Sequence, residues 1–220
     1  MRLLPTFAPL ALLSALLSGL PAVSAAEDFV CAPKQMLKVI VQADIPGLPP
    51  THFARAPKTM YRYEQNMARV EEQADPVSGM RLLMIVHEPD IWVIDRAKNA
   101  GEHTIDPGPT YRVRMRIFPD SVKSQAIRDL EFGCEVQMMT KAGAKTRTEG
   151  DVTVYELADG KETVLLKTDT ASGRPLRVEL YGGDKRLAAL DYKQYAMTTP
   201  VDELLFSKPE GVQIREKPAQ

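Results

Sequence analysis

Residues 165–195 read LLKTDTASGRPLRVELYGGDKRLAALDYKQY, and this stretch decides the fold class. Leu176, Val178 and Leu180 alternate with charged residues, which is typical of a β-strand with one buried face and one solvated face. A Gly-Gly pair then reverses the chain into a second alternating run at residues 186–192. The stretch therefore predicts three antiparallel strands joined by two turns.

Short apolar runs separated by Pro, Gly, Asp and Asn turns recur along the rest of the chain. They predict strands at Leu37–Asp44, Thr59–Gln73, Arg81–His87, Ile91–Asp95, Glu102–Asp106 and Thr110–Phe118. One helix is predicted between residues 121 and 132, where apolar residues follow a helical spacing after a plausible N-cap. The sequence thus predicts a mainly β protein of the α+β class, built as an antiparallel meander.

The first residues have the pattern of a secretory signal peptide. Arg2 precedes an apolar stretch from about Phe7 to Leu20, and small residues follow at 22–26. The apolar stretch is shorter than a comfortable membrane span. We therefore expect residues 1–25 to be a cleaved signal peptide and residues 26–220 to form a single exported domain that does not span a membrane.

Charge and cysteine usage narrow the function classes. The formal net charge of −1 gives no electrostatic reason to expect nucleic acid as a partner. The chain has two cysteines, Cys31 and Cys134, and in an oxidising compartment we expect them to form a structural disulfide. A redox pair is the alternative, but such pairs normally have a C-x-x-C spacing, which is absent here.

The sequence contains no strong sign of catalysis. It has no nucleophile elbow, zinc-protease motif, phosphate-binding loop or EF-hand loop. Its histidines are His52, His87 and His103. Pairing His87 with Ile91 across the turn at residues 88–90 places His87 and His103 on opposite faces of the sheet. We therefore expect no metal site, no cofactor and no enzymatic activity.

The hairpin of residues 81–95 is apolar on both faces. The same register places Leu82, Met84 and Val86 beside Trp92 and Ile94 on one face. The other face carries Leu83, Ile85, Ile91 and Val93. Because an antiparallel sheet with one solvated side needs only one such face, something must cover the second. The predicted helix, an apolar ligand, a partner protein, or N-terminal strands and loops could all do so.

Four segments of the chain carry a family resemblance. They are the closing strands at 166–195, the segment DELLFSKPEGVQI at 202–214, the strand-turn-strand IWVIDRAKNAGEHTI at 91–105, and the helix after RIFPD at 116–120. In this order they resemble the LolA-like periplasmic proteins, the superfamily of the outer-membrane lipoprotein carriers. The resemblance covers roughly residues 80–215. The chain departs from the family pattern near its N-terminal end. The family has an amphipathic helix there, whereas residues 29–44 of this chain have an extended pattern.

The resemblance implies a curved, incomplete antiparallel β-barrel that wraps one or more helices and encloses an apolar cavity. It implies a periplasmic protein that binds a hydrophobic ligand, such as an acyl chain, a lipid or a lipoprotein. The parity of the strands selects a set of wall residues for such a cavity: Leu82, Met84, Val86, Trp92, Ile94, Leu176, Val178 and Leu180. The alternative is a non-catalytic interaction or sensor module that presents the same apolar face to an envelope protein.

Overall fold

The structure is a computed structural model that describes residues 29–198 and 200–218. The predicted signal peptide lies outside the described residues. The strands are β1 Met36–Asp44, β2 Lys58–Tyr63, β3 Met67–Glu71, β4 Leu82–His87, β5 Asp90–Asp95, β6 Ala100–Ile105, β7 Lys145–Glu149, β8 Val152–Asp159, β9 Glu162–Asp169, β10 Pro175–Gly182, β11 Lys185–Thr198 and β12 Gln213–Glu216. The helices are α1 Gln125–Arg128 and α2 Glu135–Lys141, with 3-10 turns at Phe53–Arg55 and Glu203–Phe206.

All 12 strands belong to one open, curved sheet with the order β12-β6-β5-β4-β3-β2-β1-β11-β10-β9-β8-β7. Two antiparallel meanders, β2 to β6 and β7 to β11, are joined by β1, which pairs with both β2 and β11. The short β12 is the exception, because it pairs parallel to β6. The prediction of a mainly β, antiparallel architecture is confirmed.

One face of the sheet, called the inner face here, packs against the segment between β6 and β7. Alternate residues of β1, including Leu37, Val39 and Val41, point to this face and are buried. The segment contributes Val113, Met115, Ile117, Phe118, Val122, Ile127, Leu130, Phe132 and Met139 to the same core. Most of this cover is irregular chain, and the two helices within it have only four and seven residues. The predicted wrapping of helices is therefore not confirmed. The inner face is covered instead by residues 113–141, which we call the covering segment.

The predicted strand Thr110–Phe118 is wrong, although its alternation is real. Val113, Met115 and Ile117 point into the core, but the segment has only a single isolated bridge, from Arg116 to Glu131, to hold it as a strand. The predicted helix over residues 121–132 is shorter than expected. It is confined to α1, because the chain turns away afterwards to bring Glu131 into the core.

Other strand boundaries also depart from the expectation. Thr59–Gln73 is two strands, β2 and β3, separated by a turn in which Glu64 has a φ of 50°. The strands β7, β8 and β12 and the helix α2 were not predicted. No helix among residues 29–198 and 200–218 is long and apolar enough to cross a membrane.

The predicted disulfide between Cys31 and Cys134 is confirmed, with the two Cα atoms 5.8 Å apart. It joins the chain just before β1 to the residue that precedes α2. Gly133, at a φ of 93°, brings its backbone against Pro33 and Leu37, where a Cβ atom would lie 2.9 Å from the ring of Pro33. The disulfide and this close contact fasten the end of the covering segment to the inner face.

Replacing both cysteines, C31S/C134S, should lower the free energy of unfolding by about 2–5 kcal/mol, because the bridge closes a loop across most of the domain. Urea denaturation followed by circular dichroism measures the change. The matched control is the wild type unfolded in the presence of a reductant, which should give the same loss. Equal stability of the oxidised wild type and the double variant would contradict a structural role for the bridge.

Candidate ligand-binding surface

The predicted register of the β4–β5 hairpin is wrong by one residue. The turn contains only Glu88 and Pro89, so His87 pairs with Asp90 rather than with Ile91. As a result Trp92 lies opposite Ile85, and Ile94 lies opposite Leu83. Because neighbouring side chains alternate between faces, Trp92 and Ile94 share a face with Leu83 and Ile85, and not with Leu82, Met84 and Val86 as predicted.

The predicted wall residues of β4 lie on the inner face. Met84 pairs with Val70 of β3 and with Val93 of β5, and Val70 in turn pairs with Met60, which belongs to the core. Val86 is buried, Leu82 and Met84 are half-buried, and Val93 is 41% exposed. The apolar side chains of this region form what we call the inner strip: Val70, Leu82, Met84, Val86, Ile91 and Val93.

The inner strip borders the core without being fully covered by it. Val70, Met84 and Ile91 are half-buried and pack against the core cluster that the covering segment completes. At the usual spacing between strands, the three strands that carry the strip give it a width of about 10 Å. This apolar surface could accept the side of an acyl chain.

The opposite, outer face of the hairpin is covered by the C-terminal end of the chain. Leu83, Ile85 and Ile94 form a separate buried cluster. Trp92, Val212 and Ile214 pack against it. Four covers were left open by the sequence, namely the predicted helix, an apolar ligand, a partner protein, and N-terminal strands and loops, and none of them is the cover found on this face. Two of the predicted wall residues, Trp92 and Ile94, belong to this outer layer.

The predicted wall residues of β10 are not brought to the inner strip. Val178 is 1% exposed, and both Val178 and Leu180 lie inside the core that β10 shares with the covering segment. Leu176 is 42% exposed and lies where the pairing with β9 is shifted by a bulge. The predicted wall residues thus occupy four different surroundings, and only Leu82, Met84 and Val86 meet on one partly open surface.

A buried ion pair holds the covering segment against the sheet. Arg62 of β2 and Glu131 of the covering segment are both 0% exposed, with an N–O distance of 2.8 Å. The guanidinium of Arg62 also donates hydrogen bonds to the carbonyl oxygens of Cys31 at 2.7 Å, Val113 at 3.1 Å and Phe132 at 3.2 Å. One side chain therefore fixes three separate parts of the chain.

A second buried carboxylate adjoins this pair. Glu135, the first residue of α2, accepts hydrogen bonds from the Tyr192 hydroxyl at 3.0 Å and from the Gly133 amide at 3.0 Å. Burial raises the pKa of Glu135 above its ordinary value, although these hydrogen bonds and the nearby Arg62 oppose the shift. Burial likewise raises the pKa of Tyr192. These groups are enclosed, which suits a structural role.

Sequence reasoning missed this buried polar cluster. On β2, Met60 and Arg62 point inward and are buried, whereas Tyr61 and Tyr63 lie on the other face and are half-buried. The sequence contains one indication that Arg62 points inward. It lies two residues after the apolar Met60 in the same strand, so both side chains point to the same face. A charged residue at such a position is ordinarily assigned to the solvated face.

The surface also carries a cleft of about 490 Å³, lined by residues of α1 and α2, by residues 112 and 114 that precede them, and by Phe29. Arg112, Arg114, Asp129 and Lys141 line it together with apolar side chains such as Phe29 and Met138. Arg112 donates to the Phe29 carbonyl at 3.0 Å, and Arg114 to Asp129 at 3.0 Å. Both arginines of the cleft therefore already have partners within the protein.

The histidines are placed differently from the expectation. The corrected register puts His87 and His103 on the same face of the sheet, with Asp90 paired to His87 and hydrogen-bonded to His103. Nevertheless, the described part of the chain contains no group of three or more His, Cys, Asp or Glu side chains that could hold a metal ion.

No protein-family model and no curated protein sequence matches the chain. Similar solved structures include an uncharacterized conserved protein from Thermus thermophilus, at 16% identity and a TM-score of 0.46, covering 84% of this chain and 91% of that one. A LolA superfamily protein from Nitrosomonas europaea is 14% identical at a TM-score of 0.33, covering 81% and 93%. A structure of PNGF-II is 10% identical at a TM-score of 0.26, covering 84% and 32%.

A LolA superfamily protein is thus among the solved structures that this chain is similar to, as the resemblance in the sequence predicted. All three TM-scores are below 0.5, so these likenesses do not indicate what the chain does.

Replacing Arg62 by Met should lower the free energy of unfolding by about 3–5 kcal/mol, because it leaves the buried Glu131 without its partner. Adding Glu131→Gln to this variant should recover part of the loss, since the uncompensated charge is then removed. Urea denaturation of the wild type, both single variants and the double variant measures the coupling. A single Arg62→Met variant as stable as the wild type would contradict the role of the ion pair.

Proposed function

We propose that this protein is a non-catalytic binding protein of the cell envelope that holds an apolar ligand, such as an acyl chain, on the inner strip. The observation that carries the proposal is the incomplete cover of the inner face. Val93 is 41% exposed within a row of apolar side chains that continues directly into the core. An apolar surface of this kind in an exported protein is typical of a binding site.

The proposal keeps Leu82, Met84 and Val86 of the predicted wall and adds the cross-strand neighbours Val70, Ile91 and Val93. A ligand that lies on these residues would remove apolar surface of both the protein and the ligand from water. This burial is the main favourable contribution to such binding. Trp92, Ile94, Val178 and Leu180 support the surface from within packed layers and would not touch the ligand.

The predicted signal peptide supports a location in the periplasm. The disulfide between Cys31 and Cys134 agrees with this, because such bridges persist in oxidising compartments. A protein that meets its ligand there would bind lipids or lipid-modified proteins in transit between membranes.

The inner strip predicts tight binding of a fluorescent fatty acid such as cis-parinaric acid. Val93→Asp should weaken that binding at least about tenfold, because a carboxylate would be buried against the acyl chain. The matched control is Val77→Asp, since Val77 is 94% exposed in the β3–β4 loop and is not part of the inner strip. Fluorescence titration of the three proteins, with circular dichroism to verify folding, makes the comparison.

Equal affinities of the folded Val93→Asp and Val77→Asp variants would contradict the inner strip as the binding surface. If the wild type binds no fatty acid but associates with itself or with an envelope protein, and Val93→Asp abolishes the association, the strip is instead a protein-docking surface. That outcome would favour the interaction-module alternative.

A further inference from the structure

The C-terminal strap, residues 200–217, closes the outer face of the β3–β6 region. Its 3-10 turn ends at the fully buried Phe206 and contacts β3 and β4. Further along, Val212 and Ile214 pack on the cluster of Leu83, Ile85 and Ile94. The strap is therefore the cover that this second apolar face requires.

Polar contacts fasten the strap at both ends. Arg69 of β3 donates to the Leu205 carbonyl at 2.9 Å. At the other end, the amides of Gln213 and Lys217 donate to the carbonyls of Asn99 at 3.1 Å and His103 at 2.8 Å. Because β12 has only four residues and lies at the edge of the sheet, few backbone hydrogen bonds hold it. Its side-chain contacts therefore decide how firmly it is held.

His103 lies at the centre of these contacts. Its Nε2 atom is 2.8 Å from Asp90 of β5, and its Nδ1 atom is 2.5 Å from Glu216 of β12. The imidazole is 12% exposed and stacks on Trp92, with ring centroids 5.2 Å apart. The ring thus joins the strap to β5 through both of its nitrogens.

This arrangement requires a proton on each ring nitrogen. A neutral imidazole has a single N–H, so one of its nitrogens would present a lone pair to a carboxylate, which can only accept. Burial alone lowers the pKa of His103, but the hydrogen bonds to Glu216 and Asp90 outweigh that effect and raise it above its ordinary value. Stacking of the cation on the indole of Trp92 favours the same state.

We propose that His103 is a pH-sensitive clasp of the C-terminal strap, which is fastened over the outer apolar cluster when the imidazole is protonated and loosened when it loses that proton. Loosening would uncover Leu83, Ile85 and Ile94 and free the edge of β6. The outer face would then become an apolar surface available for contact, separate from the inner strip.

The charged and titratable groups around His103 come from several elements packed against it. On its face of the sheet, Asp90 comes from β5 and Glu216 from β12, and His87 of β4 pairs with Asp90. On the opposite face, Glu102 of β6 forms ion pairs with Arg215 and Lys217 of the strap. Glu88, in the turn next to Asp90, has its pKa raised to about 7 by burial and by the nearby Asp106. Its titration therefore falls in the same pH range, and replacing His103 separates the two effects.

The sign of the effect follows from the raised pKa. The stabilisation by the clasp is complete below the ordinary pKa of histidine, about 6.5, and is lost as the pH rises through the higher value in the folded protein. The strap is therefore held most firmly in mildly acidic solution and loosens on the alkaline side.

The chain contains its own reporter, because Trp92 is its single tryptophan. A protonated imidazole in contact with an indole quenches its fluorescence, so the emission of the wild type should rise in one step above pH 6.5. His103→Gln should abolish this step. The matched controls are His52→Gln and His87→Gln, which replace the other two histidines and should keep it.

Hydrogen exchange tests the strap itself. The protection factors of the Gln213 and Lys217 amides should fall at least about threefold between pH 6 and pH 8.5, while those of amides in β1 should stay constant. Both His103→Gln and Glu216→Gln should make the strap amides insensitive to pH, and the exposed Glu216 can be replaced without disturbing the core. A pH dependence that persists in both variants, or is absent from the wild type, would overturn the proposal.

Discussion

The ion pair between Arg62 and Glu131 is the constraint on which the rest of the structure depends. A buried guanidinium and a buried carboxylate are tolerated only when each keeps a partner. Here Arg62 binds Glu131 and the carbonyls of Cys31, Val113 and Phe132. The pair therefore dictates where the covering segment crosses the sheet. The neighbouring disulfide and the buried Glu135 fix the same region a second time.

That placement explains both the short helix α1 and the open part of the inner face. The chain leaves its helical path after Arg128 so that Glu131 can reach Arg62 on β2. The cover then lies over β1, β2 and β8 to β10, and the apolar side chains of β4 and β5 remain partly open at its edge. The outer face of the same strands is closed by the C-terminal strap. One hairpin with two apolar faces thus has two different covers, one incomplete and one fastened at a short edge strand.

Alternation and turn residues were sufficient to predict most strands and the antiparallel sheet. The disulfide could be predicted because the chain has only two cysteines behind a predicted signal peptide. Alternation and turn residues could not give the register of β4 with β5, because a turn of two residues and a turn of three both fit the Glu-Pro-Asp sequence at 88–90, and one residue reverses every face assignment. The strand predicted at 110–118 is wrong because side chains that alternate toward the core do not by themselves give the backbone a neighbouring strand with which to form hydrogen bonds. Arg62 was missed because a charged residue within a strand is normally solvated, and its partner lies 69 positions away in the chain.

The central claim is that the partly open inner strip carries an apolar ligand. Native mass spectrometry of the mature protein, purified without detergent from the envelope of cells that produce it, tests this most directly. We expect a stoichiometric extra mass on the folded protein, which organic extraction removes and recovers as a lipid. A mass equal to that of the polypeptide alone, from protein that is folded and has its disulfide intact, would contradict it.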